Sequence, residues 1–173
     1  MQWAIMIPTS MLSQYGGCKI TKIGVYVEVT GSYTLKIYKG GVSAPSSQLV
    51  SYNYNPTQTG WRNFLVDPAL PIDASQPLWV SLTMDHEAGN YPATYSEGSN
   101  TLNARWVYNN GTWLDVTTLL EDTDDLAWMV RVYVTNEAKG SAETETELPL
   151  YYGNSSKIKN IGNDNGKLEN RKR

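Results

Sequence analysis

Residues Lys19 to Gly41 read KITKIGVYVEVTGSYTLKIYKGG. Ile23, Val25, Val27 and Val29 alternate with Lys22, Gly24, Tyr26 and Glu28. After Thr30-Gly31-Ser32 the alternation resumes, with Tyr33, Leu35 and Ile37 set against Thr34, Lys36 and Tyr38. Side chains on a strand point to alternate faces, so each half reads as a half-buried β-strand. Two such runs joined by three residues containing Gly predict an antiparallel hairpin. A one-residue slip would turn every valine to solvent, so the register is strongly specified.

The same reading extends in both directions. Trp3, Ile5 and Ile7 alternate with Gln2, Ala4 and Met6, and Ser10 to Tyr15 can form one short helical turn. Strands are expected at Gln48–Tyr54, at Trp61–Asp67 with Phe64 and Val66 inward, at Leu78–Met84 and at Leu102–Tyr108. Asn109-Asn110-Gly111 turns the last of these into Thr112-Trp113-Leu114, and Trp128, Val130, Val132 and Val134 mark a final strand. Pro68 to Pro77 reads as an extended connector at a sheet edge or between sheets. Asp85 to Asn100 reads as a long polar loop. No stretch long enough for a core helix carries a 3.6-residue period. Many short strands at turn-rich intervals predict an all-β, antiparallel sandwich or barrel.

The 173 residues fit one domain with room for a tail. All six Trp and ten of the twelve Tyr precede Thr135, enough bulky apolar surface for a sizeable core. From Asn136 the composition turns to Glu, Thr, Asn, Gly, Lys and Ser, with Leu148–Tyr152 as its one apolar cluster. Residues 136–173 are therefore expected to be a flexible, disordered linker after a domain at 1–135. The chain opens directly into a strand, without the charged start of a signal peptide, and reads as a piece of something longer.

Charge and rare residues exclude whole classes of chemistry. Up to Thr135 there are seven Lys or Arg against eleven Asp or Glu, and no basic stripe, which argues against nucleic acid as a partner. One cysteine, Cys18, forbids an intrachain disulfide and reads as a structural thiol. With His86 the one histidine, a Cys/His zinc cage has too few ligands. No apolar run reaches the roughly 18 residues of a membrane span.

Four constellations remain. Asp85, His86, Glu87, Asn90 and Glu97 fall in the long loop, where carboxylates and carbonyls could hold calcium, or where the loop is simply solvated. Glu121, Asp122, Asp124 and Asp125 form the densest acidic cluster, suited to calcium or a basic partner, or to protecting a strand edge. Asp85, Glu97 and Asp115 could be imagined as a glycosidase pair, but nothing signals facing carboxyls, and His86 lacks a nucleophile motif. A non-catalytic role is expected. Trp79, Trp106, Trp113, Tyr91, Tyr95 and Tyr108 lie on or beside loop-bearing segments, whereas Trp61 and Trp128 are expected in the core. Exposed Tyr and Trp rings stack on sugars and anchor interfaces, so Tyr91, Tyr95 and Trp113 are the candidate ligand contacts.

The order of eight phrases resembles a known family. WAIMIPTSMLSQYGG, KITKIGVYV, YTLKIYKGG, GWRNFLVD, PIDASQPLWVSL, NYPATYSEG, WVYNNGTWLDV and LAWMVRVYV, spread over residues 3–135, are similar to the cleaved-adhesin or choice-of-anchor J domains of secreted bacterial proteins, found in gingipain haemagglutinin regions. The resemblance implies a jelly-roll sandwich, extracellular or cell-surface, serving as an adhesin or as an accessory domain of a secreted hydrolase. Its expected partners are an extracellular protein or glycan and neighbouring modules of the same polypeptide, including fibronectin type III-like ones. The family's further strands before the Trp3 strand, with their calcium-binding turn, have no counterpart here, and Thr94-Tyr95-Ser96-Glu97 replaces a Gly-Pro stretch. Three roles therefore compete: an adhesin-like module, a carbohydrate-binding module and a structural spacer.

Overall fold

The computed structural model describes residues 1–86, 92–97, 103–119, 126–136, 144–149 and 158–160. Its strands are β1 (Gln2–Ile7), β2 (Lys19–Val27), β3 (Tyr33–Lys39), β4 (Ser47–Tyr54), β5 (Gly60–Pro71), β6 (Leu78–Thr83), β7 (Thr94–Glu97), β8 (Trp106–Asn109), β9 (Thr112–Asp115), β10 (Leu126–Trp128), β11 (Val130–Thr135), β12 (Thr146–Glu147) and β13 (Ile158–Asn160). A single turn of helix, α1 (Thr9–Leu12), runs into a 3₁₀ turn at Ser13–Tyr15. One sheet has the order β4-β3-β6-β1-β8-β9, a second β12-β11-β2-β5, and a small third β10-β7-β13. Every pairing is antiparallel. The protein is an all-β sandwich.

The expected hairpin does not form. Strand β2 pairs with β5 and β11, whereas β3 pairs with β4 and β6 in the other sheet. Residues 28–32 carry the chain across the core instead of back along the same sheet. Both strands were read correctly as strands; Ile23, Val25 and Val27 from one sheet and Tyr33, Leu35 and Ile37 from the other are buried, whereas Val29, expected inward with them, lies past the end of β2 and is only partly buried. The buried residues meet in one hydrophobic cluster with Trp3, Ile5, Ile7, Leu78, Val80, Leu82, Trp128, Val130 and Val132. Period-two alternation is satisfied equally by a neighbouring strand and by a strand in the facing sheet. At Asn110-Gly111 the φ values are +48° and +86°, the left-handed pair a two-residue hairpin turn requires, and here β8 and β9 do pair.

Three other expectations are revised. Pro68 lies within β5 rather than in a connector; β5 is an edge strand with a register shift nearby, where a missing N–H is tolerated. Residues 94–97, placed in the long loop, form a strand between β10 and β13. The final strand is broken at Met129: its amide donates to Thr94 O (2.9 Å), while its carbonyl accepts from Tyr26 N (3.0 Å). The chain there changes partner from β7 to β2 without leaving the core.

The segment after Asn136 is not wholly a linker. Thr146–Glu147 adds β12 to the edge of β11, and Leu148, 1% exposed, donates its amide to Val132 O (2.8 Å). Glu145 engages Lys22, and Glu147 lies 3.4 Å from Arg131. The apolar side chain that looked too isolated to fold has a ready-made core to enter, so the entropy of ordering a few residues is offset. Replacing Leu148 by Ala should therefore lower unfolding free energy by about 2–3 kcal/mol in denaturant titration, as for a buried leucine. A free linker would show no change.

Candidate functional site

The outer face of the six-stranded sheet carries the candidate site. Strand β1 is buried on both faces, because the outward Ala4 and Met6 lie under an aromatic roof. Trp79, wholly buried, is the centre of that roof; its ring is 5.1 Å from Trp106 and 5.9 Å from Trp113. Its indole N–H donates to Gly41 O (2.9 Å). That carbonyl is available because Gly41 turns with φ +82°, and a Cβ there would fall 1.8 Å from Ala44 O, so no other residue fits. Tyr38 packs on one side of the roof, and Tyr108, 42% exposed, lies 5.5 Å from Trp113 on the other.

Residues directly opposite each other on paired strands share a face, so register defines rows across the sheet. One row runs Asn53, Thr34, Thr83, Gln2, Tyr108, Trp113. Six strands at the usual spacing make it about 24 Å long. Its Asn53 end opens into a cleft of about 340 Å³ whose lining includes Ser32, Thr34, Asn53, Asn55, Thr83 and Asp85. The row thus passes from amides and hydroxyls to the exposed ring of Tyr108 and the half-buried ring of Trp113. The Trp106 indole N–H, shut off from solvent beside the row, has no hydrogen-bond partner among the described residues. Uncompensated burial of this kind recurs at functional positions.

The aromatic end is fastened from below. Arg105, 8% exposed, donates from Nε to Asp115 Oδ2 (2.9 Å), and Asp115 Oδ1 accepts from Thr117 N (3.0 Å) and Thr117 Oγ1 (2.8 Å). Trp128 Nε1 donates to Trp106 O (2.8 Å), tying β8 to the core. Asp115 is thereby committed to an ion pair and a turn.

The expected site residues are dispersed. Trp113 joins the row. Tyr95 does not: it is 4% exposed and meets Trp128 edge-on at 6.3 Å, so the expectation of an exposed ligand contact is corrected. An aromatic in a short strand inside the core covers more apolar area than one in a loop, which is why it turned inward. Trp61 is also displaced, from core to outer face, where the Arg131 guanidinium lies 3.8 Å above its ring. Tyr91, Asp122, Asp124 and Asp125 lie outside the described residues. Glu97 ends β7 opposite Leu126, its side chain outside the described part, and Asp85 is exposed at the cleft rim. Among the described residues no three His, Cys, Asp or Glu come together. Gln2, Thr34, Asn53 and Thr83 were not singled out from the sequence; alternation marks them as outward, but their neighbours follow from strand order.

Two phenols support the cleft from within. Tyr33 donates its hydroxyl to Val29 O and faces Tyr54 at 6.0 Å. Burial pushes both up to about 12; for Tyr33 the neighbouring Tyr54 adds to this, and for Tyr54 the Arg62 charge opposes it. A folded-state value raised above the ordinary 10.0 means the neutral phenols supply stability that is complete below about pH 10 and lost as pH rises towards 12. Absorbance at the tyrosinate band should show these two ionising last, together with loss of the β signal in circular dichroism. Tyr54→Phe should reduce the alkaline loss. No protein-family model, curated protein or solved structure proved detectably similar to this chain.

Proposed function

We propose that the protein is a non-catalytic, adhesin-like module that binds a glycan along the row from Asn53 to Trp113. The observation that supports this is the row's chemistry. Amides and hydroxyls alternate donors and acceptors as sugar hydroxyls do, and the exposed Tyr108 beside the half-buried Trp113 offers π faces to the apolar faces of pyranose rings. The aromatic rings are seated on a buried tryptophan, so little side-chain entropy remains to be lost on binding. Asp115, one of the carboxylates that might have served as an acid or base, is tied to Arg105 and Thr117, which favours binding over catalysis.

The jelly-roll winding, the exported bacterial setting and the place of this domain beside other modules of a longer polypeptide are proposed on the resemblance of residues 3–135. The order of short strands switching between two sheets is compatible with that winding. Calcium at Asp122, Asp124 and Asp125 is proposed on the density of that acidic cluster and not on the resemblance.

Trp113→Ala and Tyr108→Ala should each weaken glycan binding at least about tenfold, roughly 1.4 kcal/mol, on a glycan array or in affinity gels, with the fold intact by circular dichroism. Leu65→Ala, exposed on β5 of the other sheet, serves as the comparison. If the wild-type protein is retained by no glycan, the spacer role is the better reading.

A further inference from the structure

A second cleft adjoins the first through Asn55, which lines both. It encloses about 210 Å³ where the chain crosses from β4 to β5, and its walls include Tyr54, Thr57, Gln58, Arg62 and Asn63. Among the described residues no carboxylate lines it. Arg62 is fixed there by backbone alone: Nε donates to Gln58 O (3.2 Å), Nη1 to Trp61 O (3.2 Å) and Nη2 to Thr59 O (2.5 Å). Among the described residues three of its five N–H groups are used, leaving two in a held orientation. Carbonyl oxygens orient the guanidinium without neutralising it, and the ion pairs among the described residues do not include Arg62.

The second feature is Tyr54. Its side chain is 7% exposed, and its hydroxyl is buried with no hydrogen-bond partner among the described residues. The Arg62 charge is felt at this phenol, so the two groups serve one space. An oriented cation, an unpartnered hydroxyl and the amides of Asn55, Gln58 and Asn63 make a donor-rich, singly positive pocket. A carboxylate fits it: one negative charge, two oxygens, and bonds to a guanidinium and a hydroxyl that are stronger for being charge-assisted. A run of acidic peptide residues fits less well, because the adjoining cleft is neutral apart from Asp85, which would repel it.

We propose that this cleft is a carboxylate subsite that takes an acidic sugar, held by Arg62 and Tyr54, while a neutral sugar of the same glycan occupies the adjoining cleft at Asn53, Thr34 and Thr83. This assignment rests on the glycan reading above and adds the class of sugar. Binding by the wild-type chain, Tyr54→Phe and Arg62→Gln is to be measured by calorimetry with a hyaluronan hexasaccharide and sialyllactose, each beside its carboxyl-reduced form. At least one acidic probe should bind about tenfold more tightly than its reduced partner, and added salt should shrink the difference. Arg62→Gln should erase the preference and Tyr54→Phe should reduce it several-fold. Tyr54→Phe removes a hydroxyl with no protein partner, so it should fold as well as the wild type even if Arg62→Gln loosens the loop.

Equal binding of acidic and reduced probes overturns the subsite and leaves the glycan reading standing. A preference that survives in both variants also overturns it, since the acid is then read elsewhere. Poly-glutamate bound as tightly as the acidic sugars, with the same sensitivity to the variants, overturns the sugar assignment. No binding of either member of any pair removes the glycan reading itself.

Discussion

The crossing between Val27 and Tyr33 is the constraint on which the rest of the molecule depends. It sends two consecutive strands into facing sheets, so that the inward residues of β2 and β3 meet across a shared core instead of lying side by side. Tyr33 holds the crossing: its hydroxyl bonds back to Val29 O, and its ring meets Trp3 edge-on at 6.1 Å and Tyr54 at 6.0 Å. One side chain thus joins the crossing, the first strand and the end of β4. The clefts at this end of the sandwich exist because the chain changes sheets twice there, once before Tyr33 and once after Tyr54.

Core and candidate site are also joined through the sheet itself. Strands β1 and β6 are buried on both faces, which is usual for a central strand covered on two sides and unusual for an antiparallel sheet facing water. The cover is the aromatic roof around Trp79. Because that ring is anchored to Gly41 O beneath Trp106 and Trp113, the outer face of the six-stranded sheet inherits the rigidity of the interior. The opposite sheet spends its outward aromatics differently: Lys22 lies 4.1 Å over Tyr133 and Arg131 covers Trp61, so those rings are closed by cations of the same sheet. The asymmetry between an open aromatic face and a closed one directs attention to the six-stranded sheet.

Local signals were legible where the physics is local. The Asn110-Gly111 turn needs two left-handed residues, and that chemistry is written in the residues themselves. The Thr30-Gly31-Ser32 connection carried a similar composition but no such requirement, and it became a crossing. Leu148 shows the opposite case: in a polar stretch one leucine looks incidental, yet the edge of β11 supplies both a ladder and a pocket for it. Tyr95 was misplaced for a related reason, since polar neighbours in sequence say little about the neighbours a short strand acquires.

The sequence by itself determined that this chain is predominantly β, how side chains alternate between the two faces along most of its strands, and that its aromatics far exceed its titratable nucleophiles. Those properties depend on period-two alternation and on residue type, both of which are read one strand at a time. Only the tertiary structure decided which strands are neighbours, and with that the row from Asn53 to Trp113 and the meeting of Tyr54 with Arg62. Strand order depends on long-range pairings whose energies are summed over whole faces, and no short segment encodes them.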